Sequence, residues 1–268
     1  MRHMLALRAQ VGPVFLTCRS TPALLEWLQR ADELSPAWRV ATSDDVIHAL
    51  TPLPSDWNRG IEKAFAEIPT LYVADGHHRS AAASRVHAME QTEGSAGFLA
   101  GIYPAEQLNV LAYNRVVRDL NGLSSAEFLG AVDACFHRTV TEQPIPPKRG
   151  LFTMYFEGTW CELSRRADLC IADDPVATLD VSVLQDHLLG PILGVADPRT
   201  SDRIAFVGGI RGPAALEQAV GEGAAVAFHL FPTGVDQLIT VADAGRMMPP
   251  KSTWFEPKLW EGVAYRSL

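Results

Sequence analysis

An apolar run, Leu71-Tyr72-Val73-Ala74, stops at Asp75-Gly76 and gives way at once to His77-His78-Arg79 and the alanine-rich stretch Ser80 to Gln91. Few arrangements satisfy that punctuation. The apolar residues suit a buried inner strand, glycine permits a turn that other residues resist, and Ala82, Val86 and Met89 at helical spacing suit a helix packed closely on a neighbour. The segment reads strand, tight turn, helix, so a strand end and a helix start must coincide at Gly76.

A helix start carries N–H groups without intrahelical acceptors and the positive end of the peptide dipole, and it attracts anions. The Gly76 to Ser80 amides are expected to converge there on a concave surface. Gly76 lets a ligand approach the backbone, His77 and His78 add donors, the fork of Arg79 matches phosphate oxygens, and Ser80 supplies a hydroxyl. Cationic side chains at the positive end of a helix each cost about 0.3–1 kcal/mol, which a bound anion relieves. Two other readings fit the same residues. One is an exposed turn with Arg79 on a nearby carboxylate; the other is a zinc site of Asp75, His77 and His78, although ligands adjacent on one turn converge poorly on one ion. Asp75 is a structural cap, or else a metal-bound or proton-handling carboxylate, and spacing does not separate these roles.

Composition narrows the partners. A net charge of −8 with no Lys/Arg cluster opposes nucleic acid as the main partner, because phosphate backbones need a basic stripe. With 47% hydrophobic and 20% charged residues over 268 positions, the chain is expected to bury a substantial core. Cys18, Cys135, Cys161 and Cys170 form no Cys-x-x-Cys pair and are read as free buried thiols in a reducing cytosol. No stretch reaches the roughly 18 apolar residues of a membrane helix, and the start has no signal-peptide pattern, so the protein is expected in the cytoplasm without a membrane partner.

Elsewhere the pattern predicts a mixed α+β chain. A helical stretch ends at Gly12-Pro13 and a strand covers Val14–Thr17; a helix follows from Thr21-Pro22 with Leu24, Leu25 and Leu28 on its apolar side. Ser43-Asp44-Asp45 is read as the cap of a short helix through Leu50, and Ile61–Ile68 as another helix. Phe98–Tyr103 and Val110–Val117 are expected to pair as strands. The prolines of 143–150 mark a linker between a part spanning 1–142 and a C-terminal α/β part spanning 151–268. Leu151–Glu157 and Thr159–Ser164 read as a hairpin turning at Gly158. Thr178 reads as the cap of a helix carrying Val181, Leu184, Leu188 and Ile192, with Asp180 in its first turn. Ile204–Val207, Pro213–Gly221 and Val226–Leu230 follow the βαβ grammar of a parallel sheet, and the helix Val235–Ala244 ends at Gly245. Gly208-Gly209 lacks the spacing of a dinucleotide turn, which removes nicotinamide binding. His187 reads as a boundary residue and His229 as a hydrogen-bonded core histidine.

The run Tyr72-Val73-Ala74-Asp75-Gly76-His77-His78-Arg79 resembles the signature of a prokaryotic family catalogued as domain of unknown function 1015. Leu179–Leu184, Val241–Gly245, Met248-Pro249-Pro250-Lys251-Ser252-Thr253 and Pro257-Lys258-Leu259 resemble later blocks of the same family, in order. The turn also resembles the nucleotide-phosphate box of the ParB/sulfiredoxin superfold, in which archaeal free serine kinases carry an Asp-Gly-His-His-Arg run. The resemblance implies a ParB/sulfiredoxin-like phosphate-binding part followed by a C-terminal βαβ-type subdomain. It also implies that Gly76, His77, His78 and Arg79 hold phosphates, with Asp75 near the transferred group. Sulfiredoxins have a cysteine where this chain has His77, so thiol chemistry at that position does not carry over. The family's Thr-His-Arg pattern reads Tyr113-Asn114-Arg115 here, which keeps Arg115 but loses a titratable donor. Family members also have a substantial segment upstream of the part matched by Met1. The chain is therefore expected to start inside the family's fold, with the cleft at Asp75 open on one side and apolar surface uncovered.

The resulting functional expectation is phosphoryl transfer to a small hydroxyl metabolite, serine-kinase-like, from a nucleotide or pyrophosphate donor with Mg²⁺. Arg115, Lys251, Ser252 and Thr253 are candidate substrate contacts, since the proline-fixed loop offers a second cation and two hydroxyls; its other reading is a surface loop. A nucleotide-binding regulatory module without chemistry, or an inactive truncated family member, is the alternative. A nuclease or DNA-partition role is opposed by the charge. The oligomeric state is not encoded in these patterns.

Overall fold

The computed structural model describes residues 1–43, 46–256 and 258–268. It divides the chain into two compact units, one of Met1–Asn109 together with the C-terminal stretch to Leu268, the other of Val110–Glu256. The proline-rich loop 143–150 lies inside the second unit. It joins strands of one sheet, so the division does not fall there as the sequence reading places it.

The first unit begins with α1 (Arg2–Leu7) and β1 (Ala9–Gln10), followed by β2 (Val14–Cys18), every residue of which is buried. In α2 (Pro22–Asp32) the Thr21 side chain accepts the Leu24 N–H, as a cap should. Leu24 is buried but Leu25 is exposed, so the apolar side is narrower than expected. Then come β3 (Trp38–Ala41) and β4 (Ile47–Leu50), antiparallel with Trp38 opposite Leu50 and Ala41 opposite Ile47. The short helix expected through Leu50 is therefore a strand. Cross-strand pairing and the Thr42 bonds to the Val46 carbonyl outweigh the capping signal, of which Asp44 and Asp45 lie outside the described residues.

After α3 (Asn58–Ala66), β5 (Tyr72–Asp75) leads through Gly76 into α4 (His77–Glu90). β2 is the centre of a three-stranded sheet, antiparallel to β5 and parallel to β6 (Ala100–Pro104). β5 is thus an edge strand, not the inner strand expected; its short run needs only one face covered. Ala82, Ala83 and Val86 face inward from α4, whereas Met89 is exposed. Small side chains let α4 lie close against β2. Gly76 sits at φ 92°, and a Cβ there would lie 3.3 Å from Val14 Cα.

After the short β7 (Asn109–Leu111), which begins on the last residue of the first unit's opening stretch, the second unit takes β8 (Tyr113–Val117), then α5 (Ser125–Cys135), β9 (Phe136–Val140), β10 (Leu151–Phe156) and β11 (Thr159–Arg165). It continues with α6 (Asp180–Leu184), β12 (Ile204–Gly208), α7 (Ala214–Gly221), β13 (Val226–Leu230), α8 (Val235–Asp243) and β14 (Trp254–Glu256). Its sheet runs β12-β8-β13-β10-β11-β9, with every neighbour antiparallel. β12 and β13 do point the same way around α7, but β8 lies between them, so the parallel pairing read from βαβ grammar is replaced by a split unit. β8 pairs here and β6 pairs with β2, so the two segments expected to pair with each other do not.

One sheet face buries Val117, Met154, Leu163 and Phe228 against Phe128, Val132 and the segment 179–195, and the other carries Val116, Trp160 and Ala227 under Leu216 of α7. Each fully buried large side chain contributes about 1.5–3 kcal/mol. The hairpin β10–β11 turns at Gly158 as expected, and α8 ends at Gly245 with φ 67°. Thr178 is not a cap; its hydroxyl donates to the Asp174 carbonyl, and Leu179 holds the cap position. Cys18 and Cys161 are buried, Cys135 is partly so and Cys170 is exposed, which corrects the uniform burial expected of the thiols. His229 is buried, with Nδ1 against the Leu230 carbonyl. Among the described residues no helix is long and apolar enough to cross a membrane. The chain closes in the first unit with β15 (Arg266–Ser267) paired to β1.

Two outcomes follow from this architecture. Gly76→Ala should lower unfolding stability by about 1–2 kcal/mol, because the left-handed turn and the Val14 backbone both resist a Cβ; urea denaturation measures it. The second concerns Asp180, whose carboxyl is pushed up from 3.8 to about 6 by burial, while the Gly150 N–H and the Arg149 guanidinium pull the other way. Because the folded state holds this proton more tightly than the unfolded chain, stability falls as pH rises from about 4 to 6, and the cost is complete above the folded value. Asp180→Asn keeps an acceptor for Gly150 and should gain about 1–3 kcal/mol at pH 7, the lower end reflecting the water that reaches this partly exposed carboxyl. The gain should vanish below about pH 4, and equal pH slopes for both proteins would contradict the assignment.

Candidate functional site

Gly76 turns the chain so that Asp75 ends β5 beside the first turn of α4. The Asp75 carboxylate accepts the Gly76 N–H at 2.7 Å, and its other oxygen lies 3.3 Å from Lys258 Nζ. The Arg79 and Ser80 N–H groups bond to the Gly76 carbonyl at 2.8 and 3.1 Å, closing the first turn. Only the His77 and His78 N–H groups then have no carbonyl to bond within the helix, so the converging amides expected over Gly76 to Ser80 reduce to those of His77 and His78. Both histidine side chains are exposed. Ser80 donates its hydroxyl to the His77 carbonyl at 3.0 Å, which leaves it an acceptor only.

Arg79 is held on two sides. Its guanidinium donates to the Pro13 carbonyl at 2.8 Å and to Glu261 at 2.7 Å. Phe15, Asp75, Arg79, Lys258, Leu259 and Glu261 line a recess of about 130 Å³. A larger concavity, about 370 Å³, lies in the second unit along Val116, Arg203 and Gly223, and it contains none of the motif residues. We place the site at the smaller recess because the charged groups converge there. Sequence reasoning missed Glu261 as a site residue. It also read Lys258 only as part of a family block, whose Pro257 lies outside the described residues. Both reach the turn from more than 180 positions away in sequence, beyond any local pattern.

The other candidates belong to the second unit. Arg115 is buried, donates to the Tyr113 carbonyl and stacks on Phe206, with its centre 5.0 Å from the ring centroid; burial lowers its guanidinium to about 10. Lys251, at φ 55°, holds its ammonium 5.4 Å from the Tyr113 ring centroid. Ser252 is buried and donates to the Pro249 carbonyl at 2.6 Å, while Thr253 is partly exposed. Arg115 and Lys251 thus gather at Tyr113 within the second unit, and Asp75, Arg79, Lys258 and Glu261 gather within the first.

Among the described residues, no cluster of three or more His, Cys, Asp or Glu side chains is placed to hold a metal ion, so the zinc reading of Asp75, His77 and His78 has no geometry behind it.

Curated protein sequences give no significant match. Among solved structures, SbnI with a C-terminal truncation from Staphylococcus aureus is similar at a TM-score of 0.50 and 10% identity, over 99% of this chain and 77% of that one. A conserved hypothetical protein from Pyrococcus furiosus reaches 0.44 at 11% identity, over 97% and 82%. A mutant free serine kinase in complex with ADP reaches 0.42 at 12% identity, over 95% and 77%. At such identities the first of these speaks to fold alone, and the other two are too distant to argue from. Residues 1–182 match the family described as "Protein of unknown function (DUF1015)", a span that includes the Asp75–Arg79 turn but not the blocks after residue 182. The chain belongs to the DUF1015 family.

Proposed function

We propose that this protein transfers a phosphoryl group from a nucleotide or pyrophosphate to a small hydroxyl metabolite such as serine, with the donor phosphates at the start of α4. The observation that carries the proposal is the placement of Asp75, Arg79 and Lys258 around an exposed helix N-terminus that also presents His77 and His78. Phosphoryl transfer asks a protein mainly for positioning and charge neutralisation, and the groups that would supply them here are Arg79, Lys258 and the α4 start. The Asp-Gly-His-His-Arg run that resembles that of free serine kinases supports the same reading.

In this scheme the acceptor oxygen attacks the terminal phosphorus and the bridging P–O bond breaks. The leaving phosphate carries away the electron pair, and the hydroxyl proton passes to Asp75. Arg79 and His78 hold donor oxygens. Mg²⁺ fits as an ion carried in on the phosphates, because the site offers one carboxylate, Asp75, and magnesium commonly takes one or two carboxylates plus phosphate oxygens. When bound it would neutralise charge on the donor. Arg115 and Ser252 each already give one donor to an internal contact, the Tyr113 and Pro249 carbonyls respectively.

Arg79→Ala should raise the donor's KM or lower kcat at least tenfold, since a charge-assisted bidentate contact contributes about 1.5–3 kcal/mol and tenfold requires about 1.4. Asp75→Asn should mainly lower kcat and leave phosphate binding in place. A ³¹P NMR assay with ATP, ADP and pyrophosphate against a panel of hydroxyl acceptors and Mg²⁺ tests the activity. Nucleotide binding without turnover for any pair would replace the kinase reading with that of a binding module.

A further inference from the structure

In this structure the groups suited to an anion are already matched by anions of the chain itself. Arg79 faces Glu261 and Lys258 faces Asp75, so the formal charges of these four side chains cancel. A phosphate entering this arrangement would meet a site with no net positive charge beyond the helix start.

The two acidic partners differ in how they are held. Asp75 is fixed by the turn itself through its bond to the Gly76 N–H. Glu261 comes from the C-terminal stretch, which is tied by the Gly262 N–H to the Val11 carbonyl at 2.7 Å and by the pairing of β15 with β1. Its side chain is 61% exposed against 39% for Arg79, so it can turn to water without opening a hole. Arg79 cannot follow it, because the Pro13 carbonyl holds the guanidinium from the other side. The wall opposite is Gly12. A Cβ there would lie 3.1 Å from Glu261 Oε1 and 3.3 Å from Arg79 Nε, so the carboxylate occupies space that the backbone leaves open beside the guanidinium.

We infer that Glu261 is an internal competitor for the phosphate seat on Arg79, so that an entering phosphate binds by exchanging with the Glu261 carboxylate. This inference rests on the phosphate-site reading above and adds to it the residue that sets the site's threshold. A singly charged carboxylate ligand gains little by exchanging with another carboxylate. A phosphate or pyrophosphate, with more charge and more oxygens for the Arg79 fork and the free amides, displaces it. Glu261 thereby favours phosphates over small carboxylates.

The test is calorimetric titration of the full chain with inorganic pyrophosphate, and separately with acetate, for the wild type, Glu261→Gln, Glu261→Ala and Arg79→Ala, and for Arg79→Ala combined with Glu261→Gln. An exposed ion pair is worth up to about 1 kcal/mol, so both Glu261 variants should bind pyrophosphate about three- to fivefold more tightly. They should also lose part of the discrimination against acetate. In the Arg79→Ala background the Glu261→Gln change should have less than about a twofold effect, because the competition acts through Arg79. Unchanged or weaker pyrophosphate binding by both Glu261 variants, with a wild type that binds, would overturn the inference and leave the phosphate-site reading intact. Absence of pyrophosphate binding by the wild type and every variant would overturn both.

Discussion

A single left-handed turn at Gly76 fixes the geometry on which the first unit's site depends. It brings the end of β5 and the start of α4 together within reach of the Val14 backbone, where a Cβ would sit tightly at 3.3 Å from Val14 Cα and the φ of 92° disfavours any side chain. Because the turn is so tight, the Asp75 carboxylate caps its own neighbour's N–H, and α4 begins with its first free amides beside that carboxylate. The alanines that follow keep the helix close to β2, which holds the amides where the turn has put them. An anion at this point would gain the dipole, two backbone donors and a fixed guanidinium without any rearrangement of the strand. Charge is what the site must rearrange, since Glu261 and Asp75 already match its two long cations.

Much of this local geometry was legible in the sequence. Leu71–Ala74 as a strand, Gly76 as a turn and Ser80 onward as helix follow from short-range rules, and so do the β10–β11 hairpin at Gly158 and the end of α8 at Gly245. Those rules fail where partners are distant. Asp44 and Asp45 looked like a helix cap, yet Ile47–Leu50 pairs across to Trp38–Ala41, a choice made by the partner strand. The βαβ pattern of 204–230 was correct about direction and wrong about neighbours, because β8, far earlier in the chain, enters between the two strands. The prolines of 143–150 signalled a loop and were read as a linker, although the sheet continues on both sides of them.

The candidate site was legible only in part, for the same reason. Asp75, Gly76, His77, His78 and Arg79 are contiguous and announce themselves. Glu261 and Lys258 do not, because nothing in Lys258-Leu259-Trp260-Glu261 distinguishes a site residue from an exposed tail until the fold returns it to the turn. Arg115 and Lys251 were read from the sequence as cations near a substrate; the structure gives Arg115 an enclosed place against Phe206 and the Tyr113 carbonyl. The cost of burying that charge is visible in the lowering of its guanidinium to about 10.

The central claim is that phosphate is held at the first turn of α4, and residue-resolved amide NMR tests it most directly. Titrating the ¹⁵N-labelled protein with ADP and Mg²⁺ should move the amide signals of Gly76, His77, His78 and Gly12 first and furthest, all with one saturation curve, together with the Arg79 side-chain Nε–H signal. Shifts confined to the second unit around Tyr113 and Lys251, with the α4 start unmoved at saturation, would contradict the account.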